Sequence, residues 1–357
     1  MPEPLRHTIR AQEWWSHKRA AIIGMGYGTV LFAGGDVLDA ALQLGLGLAA
    51  LIPGAAFVSI LNDYTDLELD RRARKKNRLE GRSRAYGRRL IASTIALGVI
   101  MATALAMVEP WSLIFYLPAW LAFAAYSLRP LRLKERGWMG ALADALGAHV
   151  FPQLVVVALA FAGANDAIEW GWTALVGGWS LAYGLRGAIW HQSTDITADK
   201  ATGVATLVAS RPRLALWMTR WVLVPFELAT IAAILNLIGS PIPVAAFLLY
   251  LALELGRSRL WKIEIVLVGA EGRYRIFMHE YYAIILPLAL LAAASIADPA
   301  NLLMVGIHLL LFGTASARAG LDLVRATSEI ARSQIAFVRR KIPGRLRSAL
   351  AEFLRRS

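Results

Sequence analysis

The chain has 357 residues, 57% of them hydrophobic, no cysteine and a formal charge of +13. Without cysteine there can be no disulfide and no thiolate metal site. Apolar runs close to the roughly 20 residues needed to cross a bilayer argue for a polytopic helical membrane domain and against a soluble one. A basic excess of this size can signal nucleic acid, but here the aromatic residues sit in the apolar runs and not among the basic ones. Orientation in the membrane and attraction to anionic lipid account for the charge, so membrane lipids are expected partners and nucleic acid is not.

Residues 1–18, "MPEPLRHTIRAQEWWSHK", are polar, basic and aromatic. They lack the apolar core of a signal peptide and read as an interfacial segment with Trp14 and Trp15 at headgroup depth. Predicted spans follow at 19–34, 37–61, 89–108, 111–127, 138–162, 168–190, 213–238, 241–256, 279–296 and 300–317. The first and eighth are short, which makes nine or ten crossings. The connections alternate in character. "GGDVLD", "VEPWS", "GANDAIE", "GSPIP" and "ADPAN" contain no Lys or Arg, whereas 71–89 holds ten and 129–136 holds four. The positive-inside rule puts the basic connections in the cytoplasm. From Arg318 the tail alternates apolar and basic positions, with ten Lys/Arg in 318–357. Such a segment suits the inner leaflet, with a partner-binding helix as the alternative. The predicted fold class is therefore all-α: a polytopic transmembrane helix bundle (19–317) between an interfacial segment (1–18) and a basic amphipathic tail (318–357).

Span two ends in "NDYTDLELD" and span six in "HQSTDITADK". Helices ending in acid four spans apart suggest two related four-helix halves whose acids meet at one cytoplasmic mouth. Asn62, Asp66 and Asp70 are at i, i+4 and i+8, so they drift only about 40° per step around a helix. Asp63 borders that face, and Glu68 points elsewhere. Asp195 and Asp199 are again at i, i+4. Like charges so close require something positive between them. A hard cation such as Mg²⁺, which takes oxygen ligands and shares its shell with substrate phosphates, fits that need; an interfacial salt-bridge cluster is the bland alternative. Lys18, Lys76, Arg78, Lys134 and Lys200 are the candidates to complete the neutralisation. A metal site suited to phosphate esters beside an apolar bundle interior fits a lipid diphosphate.

These residues carry a resemblance. "NDYTDLELD" matches in full the NDxxDxxxD motif of the UbiA superfamily of intramembrane prenyltransferases, and "DITADKATGVATL" (195–207) resembles its second acidic segment. "YSLRPLRLKERG" (126–137) is similar to the family's loop after the fourth helix, and "RAQEWWSHKRA" (10–20) to its entry helix. The likeness covers roughly residues 8–300. This chain departs from the pattern at "KKNRLEGR", at Arg129, at His191-Gln192, in "RSRLWKIEIVLVGAEGRYRIFMHEYY" (257–282) and in the tail. The departures bear on the acceptor more than on the metal.

The resemblance implies two Mg²⁺ ions held by Asn62, Asp66, Asp70, Asp195 and Asp199, with Asp63 in support, and a polyprenyl diphosphate donor. The allylic cation left after ionisation would be shielded from water by the bundle and faced by Tyr126, Tyr183 or Trp190. A carboxylate or His191 would take the acceptor's proton. His149, inside span five, reads as a satisfied polar group of the bundle. The acceptor is expected to be a small hydrophobic or aromatic molecule. A membrane terpene cyclase or a phosphoribosyl-lipid transferase using the same site stays open. The protein is expected to be an integral multi-pass protein with its site on the cytoplasmic side, in a bacterial inner membrane.

Overall fold

The structure, a computed structural model, describes residues 5–72, 75–197, 203–269 and 273–341. Each of the ten apolar segments forms a helix: Ala20–Phe32, Ala41–Arg72, Arg84–Val108, Leu113–Ser127, Trp138–Gly163, Trp170–Thr194, Pro212–Ile238, Pro241–Trp261, Tyr281–Ala297 and Leu302–Lys341. Local chemistry sets their ends. The Ser83 and Ser240 hydroxyls accept from the N–H groups of Tyr86 and Ile242, and prolines sit where a first-turn N–H has no partner to lose. Gly239, at φ 71°, closes the helix before it in the left-handed conformation that glycine adopts at least cost.

Five of these helices are long and apolar enough to cross a membrane, or six if the bent pair Pro299–Thr314 and Ser316–Glu329, at 84°, counts as one. The expected nine or ten crossings exceed that number. Ala20–Phe32 and Leu113–Ser127, of 13 and 15 residues, fall short of a hydrocarbon core about 30 Å thick. Nor is the chain purely helical. Within the 257–282 segment, Glu264–Val266 and Tyr274–Ile276 pair as two parallel strands, with Ile265 opposite Arg275. The helix Leu302–Lys341, bent by 84° between Thr314 and Ser316, continues past residue 318, where the tail is expected to begin. Asp322 accepts from the Arg257 guanidinium at 2.8 Å and Glu329 from the Trp261 indole at 3.1 Å, so the start of the tail is docked on the bundle.

Ala41–Arg72 and Trp138–Gly163 are central, each with 72% of its apolar window buried, against 17% for the peripheral Arg84–Val108. Several polar groups inside find partners on neighbouring helices, which a bundle in lipid favours. Arg19 donates to the Leu51 carbonyl, Gln153 to that of Ile22, and the Trp172 indole to the Thr29 hydroxyl. Asn301 bonds Asp36 and the Leu38 N–H, tying the two ends of the bundle together on the face opposite the acids. Close helix approach depends on missing side chains: a Cβ at Gly98 would lie 2.4 Å from the Trp120 ring.

The most buried ion pair spans Trp170–Thr194 and Val224–Ile238. Arg186 donates to Glu227 through Nε at 2.8 Å and Nη2 at 2.6 Å, both residues being 1% exposed. The same guanidinium also donates to the Phe277 carbonyl at 2.9 Å, anchoring the strand segment. Glu227→Ala strands a buried cation and is expected to destabilise the protein by about 3–5 kcal/mol, whereas an Arg186→Met/Glu227→Leu double variant recovers much of that loss. Thermal unfolding in detergent checks both.

Candidate functional site

The last turns of Ala41–Arg72 carry Asn62, Asp66 and Asp70 to one cavity of about 290 Å³, which Asp195 at the end of Trp170–Thr194 also lines. Lys76, Arg78, Tyr126, Lys134 and His191 join them there. Nine of the residues expected to work together thus share one wall. The mouth is held by contacts between loops. Gly137, at φ 56°, donates its N–H to the Ala205 carbonyl at 2.8 Å, which joins the loop after Leu113–Ser127 to the segment after the second acidic motif. The Gln192 side chain accepts from the Val208 N–H.

Each described acid of the two motifs has a positive or polar partner. Asp66 takes Arg132 at 2.8 Å on one oxygen and Lys134 on the other. Lys134 also donates to the Asn62 amide oxygen at 2.7 Å. Burial pulls Lys134 below the usual lysine range, and Asp66 opposes that pull. Asn77 donates to Asp70 at 2.7 Å and to the Asp63 carbonyl at 2.8 Å, pinning the turn after the motif. Across the mouth Lys75 reaches Asp195 at 3.1 Å. Arg132 sits at φ 38°, a left-handed backbone that a non-glycine residue adopts only when its surroundings hold it; its bonds to Asp66 and Glu135 supply that hold.

The other residues of the expected set stand apart from this cavity or outside the described residues. Asp63 does not line the cavity: 1% exposed, its carboxylate is taken by Arg10 and by the Arg78 N–H at 3.3 Å. One residue's rotation, about 100°, turns it away from its neighbour Asn62. Lys18 lines two adjoining cavities instead of this one. Asp199 and Lys200 lie outside the described residues. Among the described residues, no group of three His, Cys, Asp or Glu could hold a metal ion by itself. The donor set of Asn62, Asp66, Asp70 and Asp195 is nevertheless all oxygen, and it suits an ion that is bound through one or two carboxylates and substrate phosphates together.

Sequence reasoning missed Arg10, Lys75, Asn77 and Arg132. They lie far from their partners in sequence or in loops whose course no periodicity reveals. Only Asp63's offset within its helix hinted at a separate partner.

Two further cavities adjoin the first. One, of about 230 Å³, shares Arg10, Asn62, Tyr126 and His191 with it and continues between Leu51, Val58, Trp120 and Phe123. The other, of about 730 Å³, contains Tyr183, Trp190 and His149, the last at 7% exposure on its wall. His191 lines all three.

Residues 21–266 match the family model described as the UbiA prenyltransferase family. A Haloarcula japonica protein named lycopene elongase/hydratase is 28% identical over 204 residues, 57% of this chain, and the match spans 65% of that relative's length. The apo structure of a UbiA homolog from Aeropyrum pernix K1 superposes with a TM-score of 0.51 at 17% identity, covering 78% of this chain and 97% of that one, which is a likeness of fold. A UbiA homolog from Archaeoglobus fulgidus bound to GPP and Mg²⁺ aligns over 92% of this chain and 99% of that one, at a TM-score of 0.48 and 15% identity.

The separate places of the acids can be measured. Asp63→Ala removes a buried carboxylate that bonds both Arg10 and the Arg78 N–H and is expected to lower stability by about 1.5–3 kcal/mol. Asp195, 58% exposed at its side chain, is expected to contribute less than about 1 kcal/mol through Lys75. Thermal midpoints of the two alanine variants, compared in low and high salt, test the contrast.

Proposed function

The chain belongs to the UbiA prenyltransferase family, and from that premise we propose that it moves a prenyl group from a polyprenyl diphosphate to a lipophilic acceptor. One observation carries the reading: acids from two helix ends share a cation-lined cavity that opens into an apolar one. A diphosphate head and a hydrocarbon tail need that adjacency. Asn62, Asp66, Asp70 and Asp195 would hold Mg²⁺ with the diphosphate, and Asp199 stays in this set from its spacing alone. When bound, Mg²⁺ supplies Lewis-acid stabilisation of the departing diphosphate.

The chain's own groups do the rest. Lys134 and Arg132 keep Asp66 neutralised before donor arrives, and with Lys75, Lys76 and Arg78 they attract the donor's anionic head. Asn77 orients Asp70. Tyr126 lines both the head and the tail cavities, a place where an aromatic face stabilises an allylic cation. Walls such as Val58 and Phe123 exclude water from that cation. His191, common to all three cavities, stands where donor carbon and acceptor would meet and is the candidate to accept the released proton. The acceptor is a small hydrophobic or aromatic molecule; the relative named lycopene elongase/hydratase supports an isoprenoid polyene within that class. The basic connections support a cytoplasmic mouth for an integral membrane enzyme.

Purified protein in detergent is incubated with geranyl, farnesyl or geranylgeranyl diphosphate and an acceptor panel, and released diphosphate and extracted lipids are assayed. Product is expected only with Mg²⁺, EDTA abolishes it, and Asp66→Ala lowers kcat/KM by about a hundredfold or more. A hydrocarbon formed without acceptor would instead mark cyclisation. No Mg²⁺-dependent binding of any diphosphate by the folded protein would sink the donor assignment. A leucine at Gly54, whose Cβ would have the Trp120 and Phe123 rings as its nearest neighbours at 3.8–3.9 Å, shortens the tail cavity and is expected to shift preference toward the shorter donors.

A further inference from the structure

We infer that the chamber of about 730 Å³ beneath the 257–282 segment is the acceptor compartment, and that it takes an uncharged unsaturated hydrocarbon. The inference rests on the prenyl-transfer reading and adds to it a place and a chemical class.

Position is the first argument. The chamber meets the proposed head cavity at His191 and the proposed tail cavity at His191 and Lys18, and it shares no other lining residue with either. A molecule inside it would touch the donor at one end only, which is what attack on the donor's reacting carbon requires. It is also about three times the volume of the 230 Å³ tail cavity.

Construction is the second. Tyr183, Arg186, Gly187 and Trp190 of Trp170–Thr194 line the chamber together with Tyr274, Arg275, Ile276, His279 and Glu280, which belong to the segment with no place in the donor site. That segment is fixed at several points. Arg186 donates to the Phe277 carbonyl at 2.9 Å, the Trp190 indole to the Tyr274 hydroxyl at 3.1 Å, and the Met278 N–H to the Tyr250 hydroxyl at 2.8 Å. Two other lining residues, Lys18 and His149, sit in π-helical turns, Trp15–Arg19 and Leu146–Val150. Turns of that kind are frequent at functional sites.

Charge is the third. Arg186 is matched by Glu227, and Arg275 by Glu254 at 3.3 Å and by Glu280. The Tyr183 hydroxyl and His279 Nδ1 bond each other at 2.9 Å. His149, His191 and His279 line one chamber, but among the described residues no such trio could hold a metal. An anionic acceptor would have to compete for arginines already paired, which leaves Lys18 as the lining cation outside those pairs and makes an anionic probe the deciding comparison. A polyene gains burial against the rings of Tyr183, Trp190 and Tyr274 and the side chain of Ile276.

The test uses the full chain in detergent. Gly187 lines the chamber, and a Cβ there would meet only the His149 ring, at 3.9 Å, so Gly187→Phe fills the space without displacing backbone. Lycopene is the neutral probe and 4-hydroxybenzoate the anionic one. Two readouts are taken: kcat/KM for each acceptor with a saturating prenyl diphosphate, and the induced circular dichroism of lycopene bound without any donor. Wild type is expected to use lycopene in preference to the benzoate and to induce the dichroism. Gly187→Phe is expected to lose about tenfold or more of kcat/KM for lycopene, and the dichroism with it. Unchanged lycopene kinetics and dichroism in Gly187→Phe overturn the assignment, as does a wild-type preference for the benzoate. If Gly187→Phe does not fold, Tyr274→Ala decides: an unaltered response to lycopene overturns the assignment and a lost one upholds it. The dichroism needs no donor, so a protein that binds lycopene but no diphosphate refutes the prenyl-transfer reading and not the chamber.

Discussion

Carboxylates gathered at the mouth of a bundle with an apolar interior must be met by positive charge, and much of this structure follows from that need. Near low dielectric their mutual repulsion is weakly screened, so an unmatched cluster would neutralise itself or spread apart. Here Lys134 and Arg132 close on Asp66, Arg10 on Asp63 and Lys75 on Asp195. Those cations come from the N-terminal segment, from the turn after the first motif and from the loop after Leu113–Ser127. Neutralisation therefore brings three separate stretches of chain to one place and builds the cavity in doing so. The cations that hold the acids are also the groups a diphosphate would engage, so the proposed donor would exchange partners with the site and need not create one.

A second set of matched charges shapes the other side of the bundle. Arg186 and Glu227 pair between two helices, and Arg257 is bonded to Glu254, Glu280 and Asp322. Both arginines are fully buried, where a missing partner is costly. Arg186 fixes the strand segment over the large chamber, and Arg257 docks the start of the last helix. The elements that depart most from the simple family pattern are thus tied to the bundle by ion pairs, and the chamber they enclose is a formed space.

How much was legible depends on the range of the interaction. All ten apolar segments are helices because a run of apolar residues fixes its own hydrogen bonding in a membrane, with no help from distant partners. Asn62, Asp66 and Asp70 do share a face, since helical repeat alone decides it. Asp63, one residue along and read as bordering that face, stands beside Arg10, as a rotation of about 100° between neighbours allows. The strand pair at 264–276 was missed: each strand is three residues long, too short for any alternation to stand out.

The sequence by itself determined the membrane setting, the helices, the family and the acids that end two of them, because hydropathy, helical period and motif spacing act within single segments. Only the tertiary structure decided which cation meets which acid, that Asp63 faces Arg10 and not the cavity, that the last helix docks through Asp322, and that three cavities meet at His191. Those facts depend on residues tens to hundreds of positions apart, such as Lys75 and Asp195 or Arg257 and Asp322. Their approach is set by helix packing and loop course, for which a linear chain carries no local signature.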